Sequence, residues 1–408
     1  MLYYFIFLFN LFIIILPTKS CITITTKRTL TKNSVGSLEL NSIEHNRWGS
    51  VYVGNPAKEF QLLFQLNSTD FWLINENANL GFKEKDRTKQ RYDKNKSSSS
   101  KLIKEGVKEG NINGNLFQDN IEIGNIKIQN ITFVSGITGF PNYLEFLDEI
   151  DGVFGLSPLK TEKSFLNLIF KEVNKPIITL YTRGVISGDS DVSVGIGSVT
   201  LGSENEKDCA AGSYKHAKLS GNEWATDLNL IKIGNDKINV GNEMIKAKKT
   251  QNIPKLRIVD SALYMYAPKE QLDKIAIGLG VLNISKNVSD FYLLPLEKCQ
   301  QEKTMPNVVL NVGDLQNKKI NVVLKPKQYM ELYEEEHGDK AITETCRLLF
   351  LPNEGMKGFD NNDWNMGELF MLNRCVSLNF DEGTIGFADK INNLEDKLEE
   401  IEDAIDNI

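Results

Sequence analysis

Residues 60–72 read FQLLFQLNSTDFW, and residues 255–267 read KLRIVDSALYMYA. Each runs apolar strand, short polar loop, apolar strand. Gln65 and Asp260 hold equivalent places in the two segments. Further on, 151–156 (DGVFGL) and 364–369 (WNMGEL) each set a glycine after an apolar stretch. A chain that repeats this arrangement is built as two lobes, each with a crossed-loop core.

Outward from these segments, short β-type runs dominate from about residue 46 to 388. They include 48–53, 60–64, 121–128, 177–181, 198–201, 228–233, 257–259, 308–312 and 320–324, and Gly/Asn/Asp clusters separate them. Helical patterns are few between these strands, with 163–173 and 269–279 as candidates. The Lys/Ser-rich segment 83–106 reads as an exposed loop. The fold class is all-β.

In this context the sequence resembles the pepsin-like aspartic proteases over about 46–388. Trp48-Gly49-Ser50-Val51-Tyr52-Val53-Gly54-Asn55-Pro56 resembles the family's opening strand and turn, Y-G-x-I-x-I-G-T-P. Residues 60–72 resemble its first active loop, F-x-V-x-F-D-T-G-S-S-x-L-W, and 258–264 its second, I-V-D-T-G-T-S. Residues 114–119 resemble the stretch after the flap, and 151–156 the D-G-I-L-G-L motif. Residues 199–202 resemble the segment between lobes, 364–367 W-I-L-G, and 379–388 (NFDEGTIGFA) the closing strand pair. The resemblance implies a bilobal acid-protease fold, two double-ψ β-barrel-like lobes around a central cleft. Its expected parts are a signal peptide at 1–20, an N-terminal lobe at 21–203, a C-terminal lobe at 204–388 and an acidic tail at 389–408.

Family chemistry needs two carboxylates that share one proton: one takes a proton from the attacking water, the other donates to the scissile carbonyl. This chain keeps only Asp260. The first position is Gln65, whose amide neither ionises nor relays a proton. Leu66 and Asn67 stand where the family has Thr and Gly. Ser261, Ala262 and Leu263 follow Asp260, and Asn365 interrupts the apolar W-I-L-G run. Val107 occupies the flap-tyrosine position and offers no phenol. The interval between residue 20 and Trp48 is short for a basic pro-segment. The expected function is therefore a secreted homologue with a disabled dyad that binds a peptide or protein ligand in its cleft. An active endopeptidase with an atypical site is the first alternative. An interaction module acting through the C-terminal helix is the second.

Residues 2–16 are almost continuously apolar and end at Pro17, with Thr18 and Ser20 at cleavage-site spacing. Fifteen helical residues reach about 22 Å, short of a ~30 Å hydrocarbon core. A secretory signal and a secreted location are expected, with no membrane association after cleavage. In that compartment Cys209, Cys299, Cys346 and Cys375 can form two bridges in three ways, with Cys21 left over. The family resemblance implies Cys299 with Cys346, and then Cys209 with Cys375. Asn95, Asn130, Asn283 and Asn287 are candidate glycan acceptors. Asn67 also heads a sequon, but is expected at the base of the cleft, where burial opposes occupancy.

Composition limits the remaining possibilities. Lys+Arg number 47 against 54 Asp+Glu, so no basic excess exists to neutralise nucleic-acid phosphates. His45, His216 and His337 have neither metal-ligand spacing nor a paired nucleophile and read as solvated surface. No metal and no cofactor are expected. Much of the acidity is local: residues 389–408 hold eight acids against two lysines. Ile391, Leu394, Leu398, Ile401, Ile405 and Ile408 form an a/d seam there. The seam reads as a helix docked on its own lobe or a frayed tail, with oligomerisation or partner binding through 389–408 as the sharper alternative.

Overall fold

The structure is a computed structural model. It describes residues 22–27, 47–84, 88–124, 126–147, 149–159, 165–183, 196–239, 253–260, 262–281, 291–313, 319–336, 342–354, 356, 360–372 and 374–391. The expected signal peptide, Cys21, His45, His337, Ser261, Asn283, Asn287 and the tail beyond Ile391 lie outside the described residues.

Among the described residues the first half has the strands β1 (Ile22–Lys27), β2 (Trp48–Val53), β3 (Lys58–Gln65), β4 (Phe71–Ile74), β5 (Lys101–Glu109), β6 (Ile112–Ile123), β7 (Ile126–Thr138), β8 (Gly152–Gly155), β9 (Ile177–Arg183) and β10 (Ile196–Leu201). They belong to one sheet that runs on into the second half. From β9 it continues to Arg374–Asn379, then Thr384–Asp389, then Lys215–Lys218. β1 lies in the same sheet, antiparallel to β10 with Ile22 opposite Leu201. The short interval before Trp48 thus supplies a structural strand.

The repeat seen in the sequence is a repeat of topology. In the first lobe β3 runs parallel to β8, pairing Leu62 with Gly152 and Gln65 with Gly155. β4 is antiparallel to β8 and parallel to β7. In the second lobe Lys255–Ile258 runs parallel to Trp364–Met366. Met265–Ala267 is antiparallel to that strand and parallel to Phe350–Pro352. A buried aspartate precedes the central strand each time. Asp151 accepts from Gln61 N at 2.8 Å, and Asp363 from Lys255 N at 2.8 Å.

Glycines make the crossings possible. A Cβ on Gly155 would stand 2.3 Å from Ser68 O, and one on Gly367 would stand 2.3 Å from Tyr264 O and 2.5 Å from Ala262 O. Backbone approaches backbone at both crossings, and only a residue without a side chain fits.

Aromatic residues fill the first-lobe core. Phe64 and Phe154 lie 5.3 Å apart, Phe71 and Phe165 5.1 Å apart. Burying each such side chain stabilises by roughly 1.5–3 kcal/mol. Trp224 joins the halves: its indole donates to Leu156 O at 2.7 Å while its ring packs edge-on against Phe380. Cys209–Cys375 and Cys299–Cys346 are the two disulfides, the first tying the inter-lobe segment to a late strand.

Several expectations are corrected. Residues 121–128 are two strands joined at Gly124, whose φ of 61° reverses the chain and sets Ile121 opposite Ile128. Much of the described part of 83–106 is exposed as expected, but anchors hold it down and it ends in a strand. Lys89 is buried, donating to Leu147 O at 2.7 Å, and β5 begins at Lys101. Tyr92, Ser97 and Ser99 all donate to the buried carboxylate of Asp119. Polar anchors do the work there, so no apolar pattern marks it. His216 is paired: its Nε2 lies 2.7 Å from Glu204 Oε1. The last strand runs to Asp389, one residue into the expected tail, and Ile391 N donates to Asp208 O. The helix Lys269–Leu279 has the expected bounds, whereas the other is shorter, Leu166–Glu172.

Candidate functional site

Gln65 ends β3 and Asp260 follows Lys255–Ile258, so the matching strands deliver both residues to the seam between lobes. The two loops meet there. The backbone N–H of Leu66 donates a hydrogen bond to Asp260 Oδ2, 194 positions along the chain. Sequence alone foresaw the loss of a bonding side chain at position 66; the backbone makes the connection instead. Asn67, next along, is exposed rather than buried. The outward turn frees its side chain, so the burial expected to oppose glycan attachment is absent. Asn95 and Asn130 are also exposed.

Gln65 does not bridge the loops. Its Nε2 donates to the phenol oxygen of Tyr143 at 3.1 Å, within its own lobe. Tyr143 sits on the 3-10 helix Asn142–Glu145 and is half-buried. Burial pushes its phenol up to about 12, against the pull of the Gln65 amide and with help from the charges of Asp260 and Asp70. The phenol is therefore neutral at any physiological pH.

Asp260 is buried, and burial holds its carboxyl above the ordinary aspartate range. The Leu66 N–H and the charge of Arg47 pull the other way, and Glu368 adds to the rise. Arg47 and Glu368 form an ion pair beneath the loops, Nη2 to Oε1 at 2.8 Å, both essentially inaccessible to solvent. Arg47 Nε also donates to Thr182 Oγ1 at 2.9 Å, linking this pair to β9. Arg47 directly precedes the motif at 48–56 and Glu368 lies within 364–369, yet neither carries a sequence signal of partnership.

Above the first loop stands the β5–β6 hairpin, which pairs Val107 with Gly114 and Glu109 with Ile112. Val107 packs against the cluster of Leu63, Trp72, Ile112 and Leu144. Trp72 is buried there with its ring 5.7 Å from that of Phe140. Among the described residues no three His, Cys, Asp or Glu side chains are grouped to hold a metal ion. The site thus brings together the Asp260 carboxyl, the Gln65 carboxamide and the Tyr143 phenol.

The model of the eukaryotic aspartyl protease family matches residues 47–390. The chain belongs to that family. It is similar to mucorpepsin of Rhizomucor pusillus, 23% identical over 358 residues, covering 83% of this chain and 77% of the relative. Mouse cathepsin D is 22% identical over 393 residues, 88% of this chain and 84% of that one. Plasmepsin VIII of Plasmodium berghei (strain Anka) is 30% identical over 115 residues, 26% of this chain and 30% of the relative. In this aspartyl protease homologue the matching strands and crossings are present, while position 65 carries an amide.

Proposed function

We propose that the protein is a secreted aspartyl protease homologue without peptidase activity, which holds an extended peptide segment between the β5–β6 hairpin and the two meeting loops. The observation that carries this reading is that Gln65 is paired with Tyr143 next to Leu66, whose backbone bonds the buried Asp260. Hydrolysis needs an ionised carboxylate to take the water's proton and a protonated one to polarise the carbonyl. Asp260 can fill one role at a time. The Gln65 amide is held by a neutral phenol and fills neither. Losing a general base alone costs about 10²–10⁴-fold in rate.

Binding survives this loss on physical grounds. A peptide backbone is recognised by donors and acceptors, which Gln65, Tyr143 and the Asp260 carboxyl still supply. Two disulfides and the apolar leader support passage through the secretory route.

The test adds a degenerate library of extended peptides to the full secreted chain and follows amide exchange. Retained peptides that slow exchange in residues 65–70, 101–114 and 256–264 support the reading. Absence of binding, or protection confined to other surfaces, refutes it.

A further inference from the structure

The β5–β6 hairpin ends in a turn that sits close over the carboxyl of Asp70. Val107 and Glu109 alternate onto the same face of β5, with Lys108 on the other. Val107 packs into the Trp72 cluster and Lys108 is exposed, so Glu109 points down toward the first loop. Glu109 is partly buried. Beneath the tip lies Asp70: a methyl group built on Gly110 would stand 3.2 Å from Asp70 Oδ2. The tip also rests on the end of β7, because a Cβ on Gly139 would fall 1.9 Å from Asn111 O.

We propose that Glu109 and Asp70 form a proton-dependent latch, which seats the hairpin tip over the first loop in acid and releases it near neutral pH. With one proton on Glu109, its carboxyl lies against a carboxylate without like-charge repulsion. With that proton gone, two negative charges face each other in a partly desolvated gap, and the hairpin lifts to rehydrate them.

The surrounding charges leave this pair to decide the matter. Of the elements packed against the tip, the first loop contributes Asp70. The end of β7 contributes Thr138 and Gly139, neither charged. The 3-10 helix carries Tyr143, itself influenced by Asp70, and Glu145. Asp260 lies deeper and acts on Tyr143. On the hairpin's own outer face Lys108 is solvated.

Burial first, and then the charge of Asp70, push the Glu109 carboxyl from its ordinary 4.5 up to about 7. The closed hairpin therefore binds a proton more tightly than an open one would. Closure is fully favoured below the ordinary value and weakens as pH rises through the interval. Glu109 remains partly exposed, so solvent screening trims the effect to roughly tenfold in the closed-to-open ratio.

Amide hydrogen exchange of the full chain without ligand tests the latch, at about pH 5 and about pH 8, corrected for intrinsic rates. In the wild type, protection of residues 106–114 should fall roughly tenfold between the two. Glu109→Gln keeps a neutral donor against Asp70 and should stay protected at both. Asp70→Asn removes the repulsion and should shrink the fall. Protection of β7 serves as the folding control. Constant protection in the wild type overturns the latch, as does a fall of the same size in both variants. Neither result depends on whether a peptide binds.

Discussion

The backbone N–H of Leu66 donates to the side chain of Asp260, so the base of each lobe's loop is completed by the other lobe. The bond is charge-assisted when Asp260 is ionised, and such bonds are roughly twice as strong as neutral ones. Burial opposes ionisation more strongly, and the carboxyl sits above the ordinary range. Asp260 therefore acts first as a structural joint, under tension between a hydrogen bond that favours charge and surroundings that oppose it.

That tension has a pH signature. A carboxyl raised in the folded state contributes stability that is fully present below its unfolded value, and loses it as pH climbs toward the folded value. Asp260→Asn removes the titration while keeping an acceptor for Leu66 N. Urea midpoints measured across the acid-to-neutral range should decline for the wild type above the ordinary aspartate value. For the variant they should be flatter. A wild type that gains stability across that interval from this residue contradicts the assignment.

The ion pair below the loops is a second point of stress. Arg47 and Glu368 are both stripped of water, and breaking such a pair leaves an uncompensated charge, at a cost of about 3–5 kcal/mol. Arg47→Met should lower stability by that order. Arg47→Met combined with Glu368→Leu should recover most of the loss, because no lone charge remains. A double variant that sums the two single losses, read from urea titrations, would count against the pairing.

At the crossings, Gly155→Ala and Gly367→Ala each thrust a methyl onto a backbone carbonyl. Each should cost about 3 kcal/mol or more, at the upper end of overpacking effects. Gly212→Ala provides a control with nothing within 4 Å of the added Cβ, although its φ of 70° adds modest strain of its own. Thermal melts ranking the control below either crossing variant would refute the tight approach.

Much of the architecture was legible in the chain. Segments 60–72 and 255–267, with DGVFGL and WNMGEL, encode the crossings directly, because a glycine is needed wherever two backbones touch. The helix 269–279 was equally plain from its periodicity. The hairpin reversal at Gly124 was hidden, since isoleucines continue on both sides of the turn. Asp119, which gathers Tyr92, Ser97 and Ser99, was invisible because hydrogen-bond networks leave no periodic trace. At the site, Gln65 and Asp260 could be named from their loops. Tyr143, Arg47 and Glu368 could not: each reaches its partner through tertiary approach, and even Glu368, inside WNMGEL, carries no mark of its partner in the sequence. The backbone role of Leu66 was equally out of reach, since a backbone donor is the same at every position.

The most direct measurement of the central claim is proteolysis by the purified, disulfide-intact chain on denatured globin at about pH 3–5, where family chemistry operates. No cleavage above that of an Asp260→Asn control prepared in parallel is expected. Cleavage by the wild type that disappears in Asp260→Asn would contradict it, since hydrolysis would then proceed with an amide at position 65.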